Sequence, residues 1–211
     1  MRYISTRGQA PPVGFLDAVL AGLAPDGGLY VPESWPAVGK ISGTSHYVGA
    51  AMKALKAFAG DDIGWEDAAT LLNKAYIDAP PPDDTDWSAK WPDTVTPLAH
   101  IGPGDWVLEL FHGPSLSFKD VAMQLIGPLF DYALAQRDEK LSVVCATSGD
   151  TGGAAVESIK GSARSDLFVL MPKGRVSDVQ RRFMTASGAA NVHAIDIEGD
   201  FDACQAIVKA L

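Results

Sequence analysis

Apolar positions along the chain change their period once, and that change divides it. Up to about residue 78 they recur at helical spacing. Phe15–Gly22 reads as a short helix stopped by its glycine, and Val48–Ala59 and Trp65–Tyr76 as longer helices, the last capped by Asp61 or Asp62. The segment Ala79–Asp86 is rich in proline and acid, which predicts a break at the surface. Beyond it the apolar runs shorten. Trp106–Phe111 is a strand candidate, and Leu141–Ala146, Leu167–Met171 and Val192–Ile197 are compact runs that suit buried strands.

Helical segments lie between these runs. One opens around Lys119, and Gly127-Pro128 is expected to kink or split it. A second covers Ala154–Lys160, with Gly161 at the position that ends a helix. A third starts at a capping box formed by Ser177 and Gln180 and runs to about Ser187, and Asp200 caps a fourth. Three strands alternating with helices imply a parallel sheet. The fold class is therefore α/β, with a mostly helical N-terminal domain over 1–98. An α/β region follows over 99–211, its βαβ part beginning at about 141. Ligands of such a sheet sit at the carboxyl ends of its strands.

Two segments carry candidate chemistry at that edge. In Ser115-Leu116-Ser117-Phe118-Lys119-Asp120, Ser117 and Asp120 have capping-box spacing, which puts Lys119 in the first helical turn. The partial positive charge there disfavours an ammonium, and apolar neighbours (Phe118, Val121, Ala122) act in the same direction. A neutral amine can attack an aldehyde or take a proton; a solvated lysine on a helix is the plain alternative. The second segment, Ser148-Gly149-Asp150-Thr151-Gly152-Gly153, follows a strand and opens a helix. Its glycines let backbone N–H groups approach an anion, and it adds two hydroxyls and a carboxylate. It has neither the Gly-Lys-Ser/Thr of a P-loop nor the dinucleotide fingerprint, so a plain strand-to-helix connection is the competing reading.

Composition narrows the picture a little. The 211 residues are 47% apolar and 20% charged, ordinary for a globular protein. A net charge of −9 argues against nucleic acid as a partner. No apolar run approaches the roughly twenty residues that cross a bilayer, and no leader pattern opens the chain, so the expectation is no membrane association and a cytoplasmic location. Cys145 and Cys204 lie in apolar segments, which suits buried thiols. The four histidines (His46, His100, His112, His193) are scattered, so no metal site is expected.

The segments Glu109–Asp120 and Ala146–Gly153, in this order, resemble threonine synthases, which are pyridoxal-phosphate enzymes of the tryptophan-synthase β fold (fold type II). The opening Met1–Gly8, followed by Gly22-Leu23-Ala24-Pro25-Asp26-Gly27-Gly28-Leu29-Tyr30-Val31-Pro32, resembles the same family. The resemblance implies that Lys119 holds pyridoxal 5'-phosphate as an aldimine and shuttles protons. It implies that Ser148, Gly149, Asp150, Thr151 and Gly152 lie beside the cofactor and the substrate carboxylate. The implied reaction is conversion of O-phosphohomoserine and water to threonine and phosphate. Where related enzymes often carry Asn, this chain has Asp150.

A basic cluster gains meaning from that substrate. Lys173 and Arg175 follow a strand end, and with Arg181 and Arg182 they are opposed nearby only by Asp178. Lys173 and Arg175 are candidates for the substrate phosphate, with Ser117 as a further substrate-binding candidate; a solvated, salt-bridged face is the alternative. Nothing after Gly153 resembles the family's glycine-rich loop for the cofactor phosphate, which implies an N-terminal portion of such an enzyme. Two other readings stay open: a non-catalytic fragment lacking that loop, and a related fold type II serine/threonine dehydratase.

Overall fold

A computed structural model describes residues 1–41, 46–77 and 94–211. The proline- and acid-rich stretch at 79–86 lies outside the described residues. The chain divides into two compact units, 1–79 and 80–211.

The first unit joins a two-stranded sheet to three helices. Strands β1 (Tyr3–Ser5) and β2 (Tyr30–Pro32) are antiparallel, with Ile4 opposite Val31. Helix α1 (Phe15–Ala21) ends at Gly22 as the pattern predicts, and α2 (Tyr47–Ala59) and α3 (Trp65–Tyr76) fill the predicted spans. Leu16, Leu55, Ala59, Ile63, Leu71 and Leu72 form the buried interior. The expected cap of α3 is corrected: its N-cap is Gly64, without a side-chain bond. Asp62 instead accepts the Phe15 N–H at 2.6 Å, at the start of α1. A carboxylate serves whichever helix start it can reach, and the nearest orphan N–H groups in space belong to α1.

Asp26 holds the β1–β2 turn. It accepts the Ser5 hydroxyl at 2.7 Å and the backbone N–H groups of Gln9, Ala10 and Gly28 at 2.9, 3.0 and 2.9 Å. Gly28 has no room for a side chain, since a Cβ would meet the Ser5 oxygen at 2.1 Å. The two stretches of the opening resemblance therefore bind each other.

The second unit begins with a hairpin, β3 (Leu98–Gly102) and β4 (Asp105–Leu108). The predicted strand at 106–111 stops three residues early, after Leu108. Glu109 and His112 are joined there by a 2.7 Å hydrogen bond that turns the chain. Helix α4 (Asp120–Arg137) follows, then β5 (Leu141–Ala146), α5 (Asp150–Ile159), β6 (Ser165–Pro172), α6 (Asp178–Thr185), β7 (Val192–Ile197) and α7 (Phe201–Ala210). The three strands form a parallel sheet in the order β5-β6-β7, Val143 beside Leu167 and Leu167 beside Val192. Its core joins Val156 and Ile159 of α5 to Leu167, Val169 and Met171 of β6 and Met184 of α6. Cys145 packs against it, and burial pushes its thiol up to about 11.

Gly127-Pro128 does not split α4, which runs unbroken for 18 residues. The reason lies in the neighbouring helix. The Ser158 hydroxyl accepts the Gly127 N–H at 3.0 Å and donates to the Met123 carbonyl, bridging the pair that an ideal helix bonds directly. Gly127 permits this approach, since a Cβ there would meet the Ser158 carbonyl oxygen at 2.1 Å.

The four donors to Asp26, with the Ser5 hydroxyl the largest effect, hold its carboxyl down at about 2. A depressed folded-state value contributes stability that is present above the ordinary carboxylate range and lost as pH falls through the folded value. The first unit should therefore loosen between about pH 4 and pH 2. Asp26→Asn should flatten that segment of a stability-versus-pH curve followed by circular dichroism; an unchanged slope would exclude Asp26 as its source.

Candidate functional site

Lys119 occupies the N-cap position of α4, one residue short of the first turn. The expected capping box does not form there. The Ser117 hydroxyl oxygen accepts the Lys119 N–H at 3.4 Å, while Asp120 turns back to Ser115, accepting its N–H and its hydroxyl at 2.8 Å each. This grip matters because the loop is strained. Leu116 has φ of 59°, and a left-handed residue with a branched side chain costs about 1–2 kcal/mol. Hydrogen bonds to a carboxylate contribute about 1.5–3 kcal/mol each, enough to hold such a loop. Asp120 is fully buried, and burial raises its carboxyl above the ordinary range even though the Ser115 bonds act the other way.

The Lys119 ammonium lies 4.2 Å from the centre of the Phe118 ring and 4.0 Å from Asp150 Oδ2. So the lysine segment and the glycine-rich turn, thirty-one residues apart, do meet. Phe118 is largely exposed, so the aromatic face beside the lysine is open to solvent instead of closing over it.

The turn is shaped by a residue outside the candidate segment. Thr147 is buried at the end of β5, and its hydroxyl oxygen accepts the N–H groups of Gly149 and Gly152, both at 2.9 Å. A threonine two residues before a glycine is a known side-chain-to-backbone signal, and it stands in the sequence beside the candidates. Gly149 has φ of 146°, a conformation that suits glycine alone. Gly152 lies against the core, where a Cβ would meet Met184 Sδ at 2.4 Å and Thr147 Cγ2 at 2.7 Å. Ser148 and the Asp150 side chain are exposed, and Thr151 is half-buried.

Asp150 has a second partner: its Oδ1 accepts from the Gln180 side-chain amide at 2.7 Å. Gln180 belongs to the capping box of α6, which forms as expected with Ser177. Ser117 is buried beneath its loop, placed to support the lysine backbone.

The basic cluster is largely paired. Lys173 is bonded to Glu198, and Arg181 makes a two-pronged pair with Asp196 at 2.6 and 2.9 Å. The expectation that only Asp178 opposes the cluster is thus corrected. Parallel register brings the end of β7, with its two carboxylates, beside the end of β6. Arg175 is exposed in the same loop and has no ion-pair partner among the described residues. His112 is bonded to Glu109 and stacked on Phe111, with ring centres 4.6 Å apart.

Comparison with known proteins joins these features to a family. Residues 2–76 match the family described as threonine synthase N terminus. The whole chain is 45% identical over 215 residues to threonine synthase of Pseudomonas aeruginosa, spanning 43% of that protein. The chain corresponds to the N-terminal portion of threonine synthases. It is also 40% identical over 220 residues to the Schizosaccharomyces pombe threonine synthase, of which it spans 41%. Among solved structures, it matches pyridoxal-phosphate-bound threonine synthase from Brucella melitensis at 47% identity and a TM-score of 0.85. That match covers 100% of this chain and 44% of the other. Yeast threonine synthase matches at 33% identity and a TM-score of 0.82, covering 99% and 42%. The chain therefore spans less than half the length of these relatives, and its α/β architecture is theirs.

Thr147→Val keeps the shape of that side chain but leaves two buried N–H groups unpaired, at about 1–3 kcal/mol each. Urea unfolding should show a loss of about 2–6 kcal/mol. A loss within error of zero would remove Thr147 as the support of the turn.

Proposed function

We propose that this chain carries the lysine-bearing wall of a threonine synthase active site. The activity is that of a pyridoxal-phosphate-dependent carbon–oxygen lyase, converting O-phosphohomoserine and water to threonine and phosphate. The observation that carries this reading is Lys119 standing 4.0 Å from Asp150, at the open end of a glycine-rich turn, in a chain that matches threonine synthases along its length.

The residues present fit such a cofactor. Lys119 supplies a primary amine that is about one-third exposed, so an aldehyde can reach it. Gly149 and Gly152 keep the turn flat, because their N–H groups are turned inward to Thr147. That leaves Ser148, Thr151 and the N–H groups at the start of α5 to take an anion, either the substrate carboxylate or a cofactor oxygen. When bound, pyridoxal phosphate supplies an electron sink for the substrate's α-carbon. Lys119 holds that group and moves protons at the substrate carbons, and Asp150 keeps a carboxylate opposite its amine.

We assign the substrate phosphate to the loop after β6. Arg175 is the principal contact, with Lys173 joining once its exposed pair with Glu198 opens. An exposed pair of this kind is worth no more than about 1 kcal/mol, so a phosphate dianion can displace it. Ser117 stays in its supporting place beneath the loop. We assign cofactor binding to residues from about 99 onward, all of them in the second unit. We propose a cytoplasmic location for this activity.

Two experiments test this reading. Incubation with limiting pyridoxal phosphate, then borohydride reduction and peptide mass spectrometry, should label Lys119 in preference to exposed lysines such as Lys209. Labelling in proportion to exposure would sink the assignment of Lys119. In the whole enzyme, Arg175→Ala with Lys173→Ala should raise KM for O-phosphohomoserine by about a hundredfold, the scale of two lost charge-assisted bonds, and leave cofactor affinity within about twofold. An unchanged KM removes that loop from the substrate site.

A further inference from the structure

We infer that Gln180 is a positioning residue: it fixes Asp150 opposite Lys119 and does so through the capping box of α6. The inference rests on the proposed role of Lys119, but its geometry stands independently of any cofactor.

The Gln180 amide has only one consistent orientation. Its oxygen accepts the Ser177 hydroxyl at 2.9 Å and the Ser177 N–H at 3.4 Å, which leaves the nitrogen to donate to Asp150 Oδ1 at 2.7 Å. The Gln180 N–H meanwhile donates to the Ser177 oxygen at 3.3 Å. The side chain is therefore tied at both ends, to α6 at one and to the first residue of α5 at the other. Asp150 then has one oxygen fixed by a donor and the other directed to Lys119 at 4.0 Å. Without the amide, an exposed aspartate at a helix start can rotate freely and take up an N-terminal N–H instead.

Gly149 belongs to the same arrangement. A Cβ on it would meet the Gln180 side-chain amide at 2.3–2.5 Å, so the amide lies directly over the turn. Three features that look separate in the sequence thus share one purpose: the glycine after Ser148, the carboxylate at 150 and the capping glutamine at 180. A glutamine at this place in a capping box needs no partner beyond its own helix. Here its donor is used on another.

Gln180→Glu separates the two roles. Glutamate serves a capping box as well as glutamine does, so the helix start is kept. It has no N–H to give Asp150, however, and sets one carboxylate against another. The thermal midpoint of Gln180→Glu should stay within about 3 °C of the parent, the shift that less than 1 kcal/mol produces in a domain of this size. Amide hydrogen exchange over 148–153 should quicken by about fivefold or more, on the scale of one lost charge-assisted bond, while exchange over 181–185 stays unchanged. In the labelling experiment, the ratio of Lys119 to Lys209 modification should fall by a similar factor. Unchanged exchange at 148–153 in a stably folded Gln180→Glu overturns the inference, and so does faster exchange with an unchanged labelling ratio. If the parent chain shows no preference for Lys119, the functional reading fails, and the exchange arm alone still decides whether Gln180 fixes the turn.

Discussion

The closeness of α5 to the sheet at Gly152 is the constraint on which the rest of the site depends. With Met184, Thr147 and Val169 all within reach of a missing Cβ, the first turn of α5 can sit in only one place. That contact is part of the main apolar core, since Met184 and Val169 are both fully buried in it. Each such side chain contributes about 1.5–3 kcal/mol by burial, far more than any exposed ion pair in the site. The backbone position of Asp150 is therefore set by packing, which brings its carboxylate within reach of Lys119. The ion pair itself, with Asp150 half exposed, is too weak to hold two helices together.

From that anchor the site is assembled from two directions. On one side Thr147 closes the turn with two hydrogen bonds and extends the sheet by donating its own N–H to the Leu170 carbonyl at 3.0 Å. On the other, Asp120 bends the 113–117 loop back over the start of α4 through Ser115. A buried carboxylate is costly unless its hydrogen bonds are met, so Asp120 is stable only with Ser115 in place. The lysine is thus delivered by a loop whose shape is fixed by buried polar bonds, and its partner by a helix whose place is fixed by apolar ones.

Much of this was legible in sequence, and the failures have a common cause. The three parallel strands, the capping box at Ser177 and the helix stop at Gly161 rest on local rules, and they stand in the structure where expected, except that β6 begins two residues earlier and ends one later. The meeting of Lys119 with the turn came from resemblance, since periodicity cannot bring together residues thirty-one apart. What sequence misassigned were polar side chains with a choice of partner. Asp62 caps α1 across forty-six residues, and Asp120 binds the N–H and hydroxyl of Ser115 where a capping box with Ser117 was expected. Ser158 mends the helix that Pro128 was expected to break. In each case the better partner was distant in sequence or on another element, where spacing rules have no reach.

The same logic explains why the basic residues after β6 looked free in sequence and are mostly paired. Parallel register sets the end of β7 beside the end of β6, and so Glu198 beside Lys173 and Asp196 beside Arg181. The two pairs differ in what they allow. The Arg181–Asp196 fork uses two parallel bonds, and these raise the guanidinium's pKa and lower the carboxyl's. Such a pair keeps its geometry and gives up its cation reluctantly. The Lys173–Glu198 pair is a single exposed contact on two flexible chains, easily exchanged for a phosphate. Arg175, which lies between them in sequence and has no ion-pair partner among the described residues, needs to give up nothing. Under the proposed assignment, a phosphorylated substrate at this edge meets Arg175 and draws Lys173 from Glu198, while the Arg181–Asp196 fork still ties α6, which carries Gln180, to β7.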